Sequence, residues 1–289
     1  VFGNASVALT TRNALSILSI FGHPNIPVAA GAAMPLEMTP FPAPDFVHGT
    51  DGLGNTNLPA PSTEPLTESA AQTIVRLARE NPGEITLVAI GPLTNIALAV
   101  MLDPELPSLL KELVVMGGTV RHAGNVTPLA EANFINDPHA ADIVCGYEWP
   151  LAIIGLDVTL QKVLRDQDLA KLRDSAGRAG QFIWDSSSFY IDFYANRLAR
   201  AGDQDRACAM HDASALVYVV APDAFEFING PARVVHQGMA LGQLAIDTQR
   251  EPYLLPYWNN RPDCHAALEV DSARVKALFI DTLLKYPFT

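Results

Sequence analysis

The stretch ITLVAIGPLTNIALAV, residues 85–100, decides the reading of the fold. Its first six residues are apolar apart from Thr86, which suits a strand covered on both faces. Gly91 and Pro92 then make a turn, with the proline placed for the first turn of a helix. Two further units repeat the theme: KELVVMGG (111–118) leads to DPHAADIVCGY (137–147), and LAIIGLDV (151–158) reads as a third buried strand. Apolar strands alternating with helices predict an α/β fold, doubly wound, with a mostly parallel central sheet flanked by helices.

Working outward, NALSILSIF (13–21) has helical spacing and IPVAAG (26–31) reads as a short buried strand. Thr67 is placed to cap a helix in which Ala70, Ile74 and Leu77 recur at i, i+4 and i+7, ended by Asn81-Pro82-Gly83. Residues 159–206 read as mostly helical, and HDASALVYVVAP (211–222) as a helix opening on a His-Asp pair. ARVVHQG, QLAIDT and AALEVD suit short strands before a terminal amphipathic helix, SARVKALFIDTLLKY. With no repeat, low-complexity tract or linker, one domain over residues 1–289 is expected.

The 289 residues are 49% hydrophobic and 17% charged, with a formal net charge of −12. That charge argues against a nucleic-acid or anionic-membrane partner and leaves a neutral small molecule open. No apolar run reaches the roughly 18–20 residues of a membrane helix. Cys145, Cys208 and Cys264 lack metal-like or CxxC spacing. They read as small buried hydrophobes of a reduced, intracellular protein, expected to be cytoplasmic.

In an open parallel sheet, ligands bind beyond the carboxyl ends of the strands. After 85–90 come Gly91-Pro92-Leu93-Thr94-Asn95; after 111–118 comes AGNVTPLAEANFINDP (123–138), a polar loop carrying Asn125, Glu131 and Asn133. After 26–31 a long Gly- and Pro-rich loop carries His48 and Asp51, and His211-Asp212 open a later helix. Each has a plain structural alternative: Asn125 as a turn residue, Asp212 as an N-cap, His48 as surface loop. Glu131 is harder to dismiss, because its apolar neighbours imply a buried carboxylate that needs partners. Amides, carboxylates and imidazoles without an activated Ser or Cys suit sugar hydroxyls, and oxygen-rich sites suit Ca2+. The aromatics of residues 182–194 either cover such a site or pack a core, where helical aromatics usually sit.

VFGNASVALTTRNAL, VHGTDGLG, ITLVAIGPLTNIALAV, VVMGG, GNVTPLAEANFINDPHAADIV, GLDVT and HDASALVY stand in the order found in the inosine–uridine preferring nucleoside hydrolases. The chain resembles that family over essentially its whole length. The resemblance implies Ca2+-dependent hydrolysis of the N-glycosidic bond of ribonucleosides, with pyrimidine and/or inosine as substrates, and a homodimer or homotetramer. It implies that Asn4, Asn125, Glu131, Asn133 and Asp212 bind the ribose. Asp212 and the Ile90 carbonyl would ligate the metal, and His211 and His48 would act catalytically near the base. His211, where the purine-specific branch carries tryptophan, points to the pyrimidine or broader branch. The family's DxDxxxDD block, with its water-activating aspartate, belongs upstream of VFGN and is expected to precede Val1. The rival expectation is a non-catalytic nucleoside- or sugar-binding protein of the same fold.

Overall fold

A computed structural model describes residues 1–161, 163–199 and 206–285. Six strands form the main sheet: β1 (Thr86–Ala89), β2 (Glu112–Met116), β3 (Leu151–Ile154), β6 (Phe225–Val234), β7 (Leu244–Ile246) and β8 (Asp263–Val270). Their order is β1-β2-β3-β8-β6-β7. β1, β2, β3 and β8 pair parallel, while β6 runs antiparallel to both β8 and β7. A separate antiparallel pair joins β4 (Val163–Arg165) to β5 (Ala207–Ala209).

Alternation along the central strands sends side chains to two cores. Leu113, Val115, Leu151 and Ile153 enter one, with Leu93, Ile96 and Val100 and with Val144. These last come from α4 (Thr94–Leu102) and α7 (Pro138–Val144). Val114, Met116, Ala152 and Ile154 enter the other, against Ala215, Val217, Tyr218 and Val275. Those residues lie on α11 (His211–Val220) and α12 (Ser272–Lys285). Because residues 113–116 of β2 and every residue of β3 bury their side chains on one face or the other, these positions are all apolar. Glu112, at the start of β2, is half-buried and accepts from the Tyr218 hydroxyl. The doubly wound α/β reading of the sequence is the observed architecture. A third cluster, with Leu169, Leu172, Ile191 and Met210, joins α9 (Asp166–Ser175) to α10 (Gly177–Ala199).

The segment before β1 is helix and loop. α1 (Val7–Ile20) is capped by Ser6, whose hydroxyl accepts from the Leu9 N–H. α2 (Asp45–His48) is a single turn inside the long Gly- and Pro-rich loop. α3 (Ala70–Glu80) precedes β1, α5 (Leu106–Leu109) precedes β2, α6 (Ala132–Asn136) precedes α7, and α8 (Leu156–Thr159) follows β3.

Five local expectations are corrected. Residues 26–31 form no strand: a single parallel bridge joins Ala29 to Leu66, and Ile26 is exposed. Pro27 lacks the N–H a ladder would need. Ser69, not Thr67, caps α3, in a reciprocal box with Gln72 that satisfies two amides at once. The third strand stops at Ile154, and Leu156–Thr159 is helical. The 123–138 loop is helical at its end, as α6. β1 is an edge strand of this sheet, so its residues are only half-buried.

Asp137 ties these parts together from a fully buried position. Its carboxylate accepts from the Ala140 N–H (3.0 Å) at the start of α7, the Leu36 N–H (3.0 Å) and the Thr94 hydroxyl (2.6 Å). Asp137→Ala leaves three donors unpaired and is expected to lower unfolding stability by about 3 kcal/mol. Urea titration of variant and parent checks this; an unchanged midpoint would contradict it.

Candidate active site

Beyond the carboxyl ends of β1 and β2 lies a cavity of about 750 Å³. Asn4, His48, Ile90, Asn125, Glu131, Asn133, His211 and Asp212 all line it. Residues up to 208 positions apart in sequence therefore meet at one place, the position where an open parallel sheet receives ligands.

The floor is built by the loop after β2. Gly118 has φ +70°, and a Cβ there would stand 2.9 Å from Leu244 and 3.0 Å from the Phe134 ring, so only glycine fits. This turn brings the Gly118 N–H to Glu131, whose Oε2 accepts from Gly118 (2.9 Å), Asn133 (2.9 Å) and Phe134 (3.3 Å). Glu131 thus caps α6 with its own side chain while only 2% exposed. Burial raises its carboxyl to about 7, against the pull of those three N–H groups, and the nearby charge of Asp212 adds to the rise. A buried carboxylate was expected to need partners, and these are they.

Asn133 donates from Nδ2 to the Met116 carbonyl (2.9 Å), which turns its amide oxygen away from that bond. Asn125 accepts the Ala132 N–H through Oδ1 (3.0 Å), which leaves its NH₂ outside that bond. The loop accordingly presents amide donors, an amide acceptor and a carboxylate on one wall, a set able to hold vicinal hydroxyls.

Asp212 stands in the first turn of α11, where β5 delivers the chain. Water reaches it through the cavity, but surrounding protein removes enough solvent to raise its carboxyl to about 6. Beside it the His211 imidazole is fixed by a 2.8 Å hydrogen bond between Nδ1 and the Thr159 hydroxyl. Ile90 follows the last residue of β1 and opens onto the same space, as does the exposed Asn4. Among the described residues, no three His, Cys, Asp or Glu side chains converge as a metal site.

His48 closes α2 and lies over the Tyr190 ring, with centroids 5.7 Å apart and planes at 19°. Burial lowers its pKa, which favours the neutral ring. The long loop is shaped by Asp51, which accepts from Leu53 (2.8 Å), Asn55 (2.7 Å) and Asn57 (2.8 Å). Desolvation works to raise the Asp51 carboxyl, yet the bonds from Asn57, Leu53 and Asn55 outweigh it and hold it below the ordinary range. Its role is structural.

The wall that sequence reasoning left open is α10. Ile183, Ser186, Ser187, Tyr190, Phe193 and Tyr194 recur at helical spacing and line the cavity, while Trp184 and Ile191 turn toward the core. The aromatics of 182–194 therefore serve both purposes. Cys145, Cys208 and Cys264 are buried free thiols, as expected; Cys208 also lines the cavity, and burial pushes its pKa up to about 12.

Residues 1–277 match the family model for inosine-uridine preferring nucleoside hydrolase. The chain belongs to that family. It is 39% identical over 288 residues to a probable uridine nucleosidase 1 of Oryza sativa subsp. japonica, spanning 99% of this chain and 87% of that relative. A solved plant nucleoside hydrolase superposes with a TM-score of 0.92 at 33% identity, covering 98% of this chain and 88% of that one. The purine-preferring ribonucleoside hydrolase from Gardnerella vaginalis gives 0.89 at 30% identity, covering 99% and 89%. This nucleoside hydrolase is thus an N-glycosidase by family. Relatives named for uridine and for purines share its fold, so the backbone alone does not set base preference.

Asp51→Ala is expected to raise amide exchange at Leu53, Asn55 and Asn57 by about tenfold or more, since each loses its acceptor. Because the carboxyl is held low, protection in the parent is present above the ordinary aspartate range. It is lost only as pH falls through Asp51's own lower pKa. Hydrogen-exchange mass spectrometry over this loop reads both outcomes, and unchanged exchange would remove the assignment.

Proposed function

We propose that this nucleoside hydrolase cleaves ribonucleosides bearing a pyrimidine base or hypoxanthine, giving ribose and free base, with Ca2+ as cofactor. The observation that carries the reading is that one loop sets Asn125, Glu131 and Asn133 on the same cavity wall, facing Asp212. A ribose needs that arrangement: donors and acceptors for two adjacent hydroxyls, and negative charge near a carbon that becomes cationic.

In this reading Asn125, Glu131 and Asn133 grip the hydroxyls and fix the ring pucker, with binding energy used for distortion toward the oxocarbenium-like state. Burial raises the Glu131 carboxyl to about 7, so it takes a proton more readily than an exposed glutamate and can accept from or donate to a hydroxyl. Asn4 closes the sugar site from the amino-terminal side. Asp212 and Glu131 offset positive charge developing at the anomeric carbon. His211, oriented by Thr159, and His48 orient the departing base or hold the proton it takes. A histidine rather than a large apolar ring beside Asp212 supports a pyrimidine or inosine preference.

Hard oxygen donors of the kind Ca2+ takes are present in the Asp212 carboxylate and the Ile90 carbonyl. No ion pair or hydrogen bond engages the Asp212 side chain among the described residues, so a cation would meet a carboxylate without a competing partner. These two donors would be part of the 6–8 oxygen shell, with the rest expected from the Asp-rich block. When bound, the ion would acidify water and polarise hydroxyls. The half-buried β1 edge and the exposed Leu216, Val219 and Val220 on α11, which packs on β1 and β2, support a further strand pairing there as the carrier of that block. The proposal is completed by a single domain assembled as a homodimer or homotetramer in the cytoplasm. No helix among the described residues is long and apolar enough to cross a membrane.

The test is a reducing-sugar assay of the full-length protein on uridine, cytidine, inosine and adenosine, with and without a calcium chelator. Release from uridine or inosine, lost on chelation and restored by calcium, is expected. Asp212→Ala should lower turnover about 100-fold or more and weaken calcium binding, since even outer-shell partners cost 10–100-fold. Full turnover by that variant with calcium bound would overturn the assignment. Nucleoside binding without hydrolysis by the parent would mark a binding protein instead.

A further inference from the structure

The loop that carries His48 is docked on α10 at three points. Gly54 meets the helix backbone: a Cβ there would stand 2.6 Å from the Ser186 carbonyl oxygen, so nothing larger than glycine allows this approach. Phe46 packs on Phe193, with ring centroids 5.8 Å apart. His48 lies nearly parallel to Tyr190 at 5.7 Å. Tyr190 is itself held by packing, with its ring 4.8 Å from that of Tyr194.

These contacts matter because of what His48 lacks. Imidazoles that handle protons are commonly oriented by a hydrogen bond at the second ring nitrogen, as Thr159 orients His211. His48 has no hydrogen bond from its ring to protein among the described residues. The His48 backbone is held, its N–H donating to the Pro44 carbonyl and its carbonyl accepting from Gly54, but those bonds do not set the torsions of the ring. The flat Tyr190 ring is the surface that fixes the plane of the imidazole. Stacking leaves both nitrogens at the rim, directed within the plane, where a departing base can be met edge-on.

We propose that Tyr190 is a positioning residue of this hydrolase, whose ring fixes the His48 imidazole edge-on to the leaving base. The inference rests on the reading that a nucleoside base departs beside His48. Only the aromatic face is required, so the hydroxyl of Tyr190 is dispensable. Its effect passes through His48 and falls on leaving groups that need a proton or a hydrogen bond to depart.

The experiment compares Tyr190→Phe, Tyr190→Leu, His48→Ala and the Tyr190→Leu/His48→Ala pair in the full-length protein. Substrates are uridine and 4-nitrophenyl ribofuranoside, whose nitrophenolate leaves without protonation. Tyr190→Phe should stay within about twofold of the parent. Tyr190→Leu should lower kcat on uridine about tenfold with KM little changed, the size of an aromatic pairing, and leave the nitrophenyl substrate within about twofold. Adding Tyr190→Leu to His48→Ala should cost nothing more. In parallel, the His48 ring-proton resonances should lie upfield in the parent and in Tyr190→Phe, and move downfield in Tyr190→Leu. Equal losses on both substrates, additive losses in the pair, failure of phenylalanine to restore activity, or an unmoved His48 resonance would each overturn the proposal. A parent that hydrolyses neither substrate defeats the hydrolase reading alone, since the His48 resonance still reports on the stack.

Discussion

The buried carboxylate of Glu131 is the constraint on which the site depends. Three backbone N–H groups reach one of its oxygens, from the glycine turn after β2 and from the first residues of α6. The bond to Gly118 ties the sheet to the loop. The bonds to Asn133 and Phe134 start α6, whose first N–H, that of Ala132, is taken by Asn125. A carboxylate so deeply buried is costly unless bonded, and three N–H donors offset that cost without removing it. The residual penalty shows as a proton affinity raised to about 7. The group that organises the loop is therefore also the one that the proposed function sets against the sugar.

Around this point the fold supplies rigid supports and the loops supply functional groups. β2 and β3 are packed on both faces, so the turns at their ends stand at fixed positions. Asp137 and Asp157 fasten the surrounding segments from buried positions. Asp157 receives the N–H groups of Val120, Arg121 and His122 at 2.7–2.9 Å. Opposite the floor, α10 turns one face to the core and another to the cavity, which makes that wall aromatic while the floor stays polar. A polar floor and an aromatic wall match the two halves of a nucleoside.

Much of this was legible from residues alone, for physical reasons. Residues 113–116 of β2 and all of β3 are unbroken apolar runs, which in an α/β chain have few alternatives to a covered strand. Asn125, Glu131 and Asn133 stood out because polar groups followed such a strand among apolar neighbours. The short 26–31 segment misled because apolar character alone does not pair a strand when Pro27 removes a donor. α6 was hidden because its cap is a glutamate, whereas the usual signals are Ser, Thr, Asp or Asn. The cap of α3 was legible in Ser69 and Gln72, a spacing that outweighs the lone threonine two residues earlier. The half-exposure of β1 depends on which strands pair with it, a tertiary fact that no local pattern carries. For the same reason, the sequence could not divide the aromatics of α10 between core and cavity.

The central claim is that the loop after β2 holds a ribose by its hydroxyls, and substrate trimming tests it most directly. kcat/KM for uridine and for its 2′- and 3′-deoxy analogues is to be measured in the full-length parent and in Asn133→Ala. If Asn133 grips a hydroxyl, the variant loses at least about tenfold on uridine and much less on an analogue that already lacks the contacted group. Equal losses on all three substrates would contradict the account.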